Sequence, residues 1–435
     1  MRRFLLVLLF VVMLVSDMFG WRLGLATGLS VKNAFLYVCF LIILVDGIVH
    51  RSGRDPLLIR VHLPFLVLIL VALLSWVLTD APGHLAMYTR EERFIALKSS
   101  LIDLYLFFAV YYFGVRDIKD AIALAKTLLL IVLLGNVITV MDVFNMPHLG
   151  IIKQMDNASE YNEGRLMGPL GEPNQYGAFL NLFLPCYFAW ALAKNRVTWE
   201  KMIYLAGGVV TLMCLLLTGS RGGYLGLVTG IVGGYLLVRR RARLASTFKA
   251  VVVTIPAFAV AVAVVVVRYS HLLLGRIEAT TKPADAVTAS AGRLTIWESG
   301  LRVMADNPVS FVIGKGWHTF AAYVGIVPHN TYLWYLFNLG AIGLVLYVLI
   351  LRNLLKHARN AVHRLSADAD ALLMGFVFGF TGLLVSVFFV DLFEPWYFIW
   401  AYVGVIARVA VLMNAEARRR TVSNAAKTAG INGAA

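Results

Sequence analysis

Arg165, Arg221, Arg293 and His329 could do chemistry, and each sits in an unusual local context. A guanidinium keeps its charge and offers a planar fork of donors that fits a phosphate group. Arg221 lies in Ser220-Arg221-Gly222-Gly223, a very short turn between two apolar runs. An arginine at the mouth of a helical hairpin is costly unless it reaches water, lipid phosphate or a partner. The two glycines admit close approach, and the first amides of the following helix favour an anion. Two readings stay open for Arg221: a grip on lipid headgroups, or a dedicated phosphate ligand. Arg165 is set among Gly164, Gly168, Pro169, Gly171 and Pro173, which is dense enough punctuation for a fixed turn. It either pairs with Glu163 or Glu172 or shares in binding an anion. Arg90 and Arg93 flank Glu91 and Glu92, so local neutralisation is expected to account for both.

Arg293 and Arg302 fall on one expected helix, Gly292 to Asp306, with Leu294, Trp297, Leu301 and Met304 on its apolar face. Arg302 follows Glu298 by four residues near the C-terminal end, where both the pair and the helix dipole favour a cation. Arg293 is in the first turn, where the dipole disfavours it, and a bound phosphate would make that position useful. His329, in Pro328-His329-Asn330-Thr331-Tyr332, opens another helix. There the dipole should lower its pKa and keep the imidazole neutral, as a general base requires. The alternative is a simple helix-opening residue beside an asparagine cap. His318 in Gly316-Trp317-His318 is a weaker second candidate. Carboxylates are scattered, without a close pair or ligand-spaced histidines, so neither a metal site nor a cofactor is expected.

The elements that must hold these residues are membrane spans. Of 435 residues, 60% are apolar and 14% charged, which makes the bilayer the intended solvent. Cys39, Cys186 and Cys214 all lie in apolar runs and form no disulfide framework. Spans of about 20 apolar residues are expected near 4–19, 29–48, 62–79, 97–115, 121–144, 175–193, 202–219, 222–238, 248–267, 330–351, 370–390 and 396–413. With the N-terminus inside, basic residues on inner segments outnumber those on outer ones by nearly two to one. This positive-inside bias explains most of the +15 net charge, so no nucleic-acid partner is expected.

The expected fold class is an all-α polytopic membrane protein of about twelve transmembrane helices. One large outer segment, periplasmic if the resemblance given below holds, lies between helices 9 and 10. Residues 1–267 hold the first nine spans, with an outer loop at about 145–174. Residues 268–328 form the periplasmic segment with its amphipathic helix, 329–413 hold spans ten to twelve, and 414–435 are expected to be a disordered cytoplasmic tail. In this topology Arg165, Arg221, Arg293 and His329 all face outward.

The order of motifs resembles a known family. Gly292-Arg293-Leu294-Thr295-Ile296-Trp297, Asn307-Pro308 and Gly314-Lys315-Gly316 are followed by Pro328-His329-Asn330-Thr331-Tyr332-Leu333 and Leu339-Gly340-Ala341-Ile342-Gly343. From about Arg165 to Gly343 the chain is similar to the O-antigen ligase and polymerase superfamily, and most like O-antigen ligase. That resemblance implies an enzyme of the bacterial inner membrane with its active site facing the periplasm. The implied reaction is metal-independent, inverting transfer of polysaccharide from undecaprenyl diphosphate to lipid A–core. By the same resemblance Arg221 and Arg293 would bind the diphosphate, Arg165 would assist and His329 would act in catalysis. Asp391, at the outer end of the eleventh span, is a looser match.

Close rivals share the chemistry and differ in acceptor: an O-antigen polymerase, or a protein O-oligosaccharyltransferase. The latter often carries a sizeable periplasmic domain after the last helix, where this chain has a short tail. A transporter or lipid flippase is the rival of another class. It would line a path through the spans with ionisable residues, whereas Lys32, Asp46, Asp103 and Lys126 are few and mostly near helix ends.

Overall fold

The computed structural model describes residues 2–18, 24–50, 56–79, 89–143, 165–193, 198–239, 292–362, 366–391 and 397–432. The expected ninth span, most of the outer loop before Arg165, and residues 268–291 lie outside the described residues. In chain order the helices are α1 (Arg2–Met18), α2 (Val31–His50), α3 (Leu63–Leu78), α4 (Arg90–Leu97), α5 (Asp103–Gly114) and α6 (Ile118–Val143). Then follow α7 (Pro173–Ala191), α8 (Thr198–Leu217), α9 (Arg221–Val238), α10 (Arg293–Ala305), α11 (Ser310–Ile313) and α12 (Phe320–Val324). Last come α13 (Thr331–Asn360), α14 (Ala367–Ser386) and α15 (Tyr397–Asn432). Among the described residues eight helical stretches are long and apolar enough to cross a membrane, with α4 and α5 joined through a π-helical turn into one of them. The protein is an all-α polytopic membrane protein.

Backbone proximity holds its centre together. Gly226, Gly230 and Gly234 repeat every fourth residue on α9, and Gly375, Gly379 and Gly382 line α14. A Cβ at Gly382 would lie 2.6 Å from the Gly226 carbonyl oxygen, and one at Gly379 would lie 2.1 Å from that of Leu182 on α7. Lipid tails are as apolar as the helices, so close packing of small residues has to supply association. Asn181 on α7 adds a polar tie, its Nδ2 donating to the Gly223 carbonyl and to Ser386 Oγ, both at 2.8 Å. Charges in and near the spans are matched: Lys98 Nζ lies 2.6 Å from Asp103, Arg116 lies 2.6 Å from Asp46, and Lys126 pairs with Glu200.

α10 to α12 form a cap on one end of the bundle. The helix expected from Gly292 to Asp306 is observed as α10, but its inward face is rotated. Gly300 and Met304 are buried and Ile296, Trp297 and Val303 pack on the core, while Leu294 and Leu301 are exposed. The close contact is Gly300 against the Phe320 ring, where a Cβ would come within 2.7 Å. A glycine at the centre of the stripe therefore sets the face, which hydrophobicity alone does not reveal.

The tenth span is longer than expected and is broken at Gly340, whose φ of 66° and ψ of −167° are not helical. A Cβ there would sit 2.1 Å from the Val312 carbonyl oxygen. The break frees carbonyls that helix geometry would otherwise satisfy. The Lys315 amide donates to Phe337 at 2.8 Å and the Gly316 amide to Asn338 at 3.2 Å. Thus Thr331 to Leu339 belong to the cap, and the 20 residues beyond Gly340 are enough to cross the bilayer.

Arg93 has a role beyond the expected one. It is buried, with Nε donating to Trp317 O at 2.9 Å, Nη1 to Thr79 O at 2.8 Å and Nη2 to Thr79 Oγ1 at 3.2 Å. It fastens the cap to α3. Arg302 does pair with Glu298 at 2.6 Å on the exposed side of α10. The tail expected to be disordered is also corrected, because α15 continues as helix through Asn432. Its Ala, Glu and Arg residues are strong helix formers, and Arg420 lies 2.9 Å from Glu416 one turn earlier.

Candidate active site

The turn between α8 and α9 is built from its own side chains. Gly219 takes a φ of 59°, and Ser220 caps α9 by accepting the Gly223 amide at 3.1 Å. Arg221 is then the first helical residue, half-buried, with its charge at the end of α9 where the amides point outward. Behind the turn, Arg165 donates from Nε to Thr218 O at 2.8 Å and from Nη2 to Asn174 Oδ1 at 2.9 Å. The Leu166 amide meets Leu217 O at 3.0 Å. Asn174 Nδ2 in turn donates to Glu172 at 2.7 Å, and Glu172 caps α7 through the Gln175 amide. Arg165 is buried, so this chain of bonds braces the turn that carries Arg221 from within.

His329 and Asp391 meet at the junction of α13 and α14. The Asp391 carboxylate accepts two consecutive backbone amides, His329 at 2.9 Å on Oδ2 and Asn330 at 2.9 Å on Oδ1. That grip holds His329 at a φ of 49°, in the left-handed region. Only His318 shares that conformation among the described non-glycine residues. Such backbone costs on the order of 1 kcal/mol and survives where its surroundings impose it. His329 Nδ1 lies 3.4 Å from Asp391 Oδ2, and its side chain is 41% exposed, so the ring is anchored on one edge and open on the other. Asn330 caps α13 through the Leu333 amide. Thr331 N and Oγ1 bond to Val387 O and Val390 O, and Tyr332 OH bonds to Leu384 O.

Arg293 opens α10 from the left-handed Gly292, which offers no side-chain cap. α10 is pinned beside His329 by Trp297, whose Nε1 donates to Pro328 O at 2.8 Å. The electrostatics tie these groups together. Burial lowers the His329 pKa, the positive charge of Arg293 lowers it further, and Glu172 opposes the shift. Burial pushes Asp391 up to about 7, against the pull of its two amide bonds and of Arg293. At neutral pH His329 is therefore an uncharged imidazole, and Asp391 is poised between its two states.

Arg293, His329 and Asp391 are thus brought together, and Arg221 is on the adjoining turn. Ser386 Oγ, at the end of α14 that leads to Asp391, donates to Gly222 O at 3.3 Å, and a Cβ on Gly222 would meet Phe389 at 2.7 Å. His318 is not part of this group. Its charged neighbours are Arg93 and Glu92, it packs on Trp334, and burial with Arg93 brings its pKa down to about 4. Sequence reasoning missed Glu172 as a neighbour of His329 and Asp391, having weighed it only as a partner for Arg165. The available signal was its cap position before Pro173-Asn174. Among the described residues no three His, Cys, Asp or Glu side chains converge as a metal ion would need.

Residues 206–348 match the family model described as O-antigen ligase. Over this third of its length the chain is similar to the O-antigen ligase family. The matched stretch contains Arg221, Arg293 and His329, while Arg165, Glu172 and Asp391 lie outside it. No curated protein matches the chain. The match and the membrane-spanning helices together support a membrane-embedded enzyme that acts on lipid-linked glycans.

Proposed function

We propose that the protein is an O-antigen ligase of the bacterial inner membrane. It would transfer polysaccharide from undecaprenyl diphosphate to a sugar hydroxyl of lipid A–core at the periplasmic face, in lipopolysaccharide assembly. The observation that carries this reading is the His329–Asp391 pair beside the charge of Arg293, with His329 and Arg293 inside the family-matched stretch.

The donor's prenyl tail lies in the bilayer and its diphosphate reaches the first turns of α9 and α10, where Arg221 and Arg293 meet it. His329 takes the proton of the acceptor hydroxyl through Nε2. Asp391 holds the Nδ1 edge and fixes the ring's orientation, as in hydrolase triads. The acceptor oxygen bonds to the anomeric carbon from the face opposite the leaving group. The anomeric carbon–oxygen bond to phosphate breaks, and its electron pair leaves with undecaprenyl diphosphate. The configuration inverts. Two guanidinium groups neutralise the charge that grows on the leaving oxygen, and preorganised donors of this kind contribute on the order of 3 kcal/mol each. Arg165 acts at one remove by bracing the Arg221 turn.

The test is purified protein supplied with lipid-linked glycan and lipid A–core. His329→Ala should lose turnover while still binding donor. Chemistry that survives at saturating donor, together with lost donor binding, would overturn the base assignment. Glycan added to lipid-linked repeats instead of to lipid A–core would make the protein a polymerase, and movement of donor across a vesicle without transfer would make it a carrier.

A further inference from the structure

α11 and the residue before it present a row of apolar side chains to the outside. Val309, Phe311, Val312 and Ile313 are 57, 36, 53 and 56% exposed. In a water-facing cap such a row has no reason to be open, because exposed apolar patches mark a contact surface. Two observations fix the height of this row relative to the membrane.

The first is its seat on α13. The Val312 carbonyl packs against Gly340, and the Gly314 backbone packs against Asn338, so α11 lies directly on the break in the helix. Immediately below the break, Ile342, Val345 and Val348 are exposed on a stretch that crosses the membrane. The second is its seat on α3. The Trp317 amide donates to Ser75 Oγ at 2.9 Å, which sets the α11–α12 connection level with the last turn of that span. That turn carries Leu74, Val77 and Leu78, with Leu78 78% exposed. The open row on α11 therefore continues two stripes that face lipid. Lys315 follows it directly, with Nζ 6.0 Å from the centre of the Tyr323 ring, and Trp76 stands beside Arg90 at the same end of α3. Lysine, tyrosine and tryptophan at one level are the residues that collect at a membrane–water boundary.

We propose that α11 is a membrane anchor. Phe311, Val312 and Ile313 enter the acyl region of the adjacent leaflet, with Lys315 and Tyr323 at the headgroup level. The occupant of the surface is lipid acyl chain. A four-residue helix can do this because its backbone is satisfied within its own turn, by the Gly314 amide to Ser310 O at 2.8 Å, and by the protein behind it, by the Lys315 amide to Phe337 O at 2.8 Å. The anchor would fix the height of the cap, and with it Arg293, over the lipid phosphates. It holds whether or not the glycan-transfer reading does.

The experiment uses full-length protein in lipid nanodiscs. Single cysteines are introduced as Val312→Cys and, on the polar side of α10, as Glu298→Cys, and each is labelled with an environment-sensitive fluorophore. The three native cysteines are buried. Doxyl-labelled acyl chains should quench the label at 312 several-fold more than the label at 298, and aqueous iodide should do the reverse. In unsubstituted protein, a diazirine carried on an acyl chain should label the peptide containing Val309–Ile313, which keeps the test independent of the variants' folding. Equal iodide quenching at 312 and 298, with no photolabel on that peptide, would overturn the anchor. Shielding from both quenchers in a particle holding two copies of the chain would overturn it too, and would assign the surface to a second subunit.

Discussion

Replacing Asp391 by asparagine separates the two things this carboxylate does. Its pKa is raised from 3.8 to about 7. At about 1.4 kcal/mol per unit, burial of the charged form costs on the order of 4 kcal/mol beyond what its amide bonds and Arg293 return. Asparagine removes that cost and keeps the shape, but offers one acceptor where two amides, those of His329 and Asn330, now find two. A lost bond to a charged acceptor is worth about 2 kcal/mol. Above pH 7 the removed cost exceeds the lost bond by about 2 kcal/mol, so Asp391→Asn should stay folded and be the more stable of the two. As the pH falls below 7 the native carboxyl gains protons and the burial cost fades, so that advantage should shrink and then reverse. Its chemistry should suffer at every pH, because the His329 ring loses the anchor on its Nδ1 edge. Misplacement of a base by about 1 Å costs roughly 100-fold. Glycan transfer by Asp391→Asn, measured from pH 5.5 to 8.5 at saturating donor, should fall about that far in kcat. The native profile should rise through the neutral region as Asp391 ionises and His329 stays uncharged, and the variant should lose that inflection. A variant that transfers at the native rate with the native pH profile would refute the pairing.

The remaining predictions concern the arginines. Arg293→Lys should lose most transfer in a folded protein, since an ammonium cannot replace the fork on a diphosphate, and should raise the His329 pKa little because the charge stays. Native rates would sink its role as a phosphate ligand. Arg165→Lys cannot serve Thr218 and Asn174 together, so thermal unfolding should show a loss of about 2 kcal/mol along with lower activity. Unchanged stability with weakened donor binding would instead place Arg165 on the substrate. Arg93→Ala leaves the Thr79 and Trp317 carbonyls without their buried donor and should cost about 3 kcal/mol. Proteolysis should then cut between α10 and α12 in the variant before it cuts the native protein.

What the sequence determined was whatever rests on local chemistry. Apolar runs long enough to cross a bilayer, the α10 window from Gly292 and the Asn330 cap are all properties of contiguous residues, and among the described residues eight such runs, α10 and the cap on α13 are observed. Arg221 and Arg293 stood out for local reasons too, one as a cation in a very short turn at the mouth of a helical hairpin and the other as a cation in a first helical turn. What only the tertiary structure decided depends on neighbours distant in the chain. Arg93 was expected to be neutralised locally by Glu91 and Glu92, and its buried guanidinium also donates to Trp317 and Thr79, one of them more than 200 residues away. The inward face of α10 was set by the fit of Gly300 against Phe320, and the break in α13 by Val312 pressing on Gly340. Asp391 stands 61 and 62 residues from the amides it binds, and Glu172 acts on His329 from another helix. Periodicity and propensity report on one helix at a time, while hydrogen bonds and charge act through space. The spans were therefore readable in one dimension, and the way the group at one end of them comes together was not.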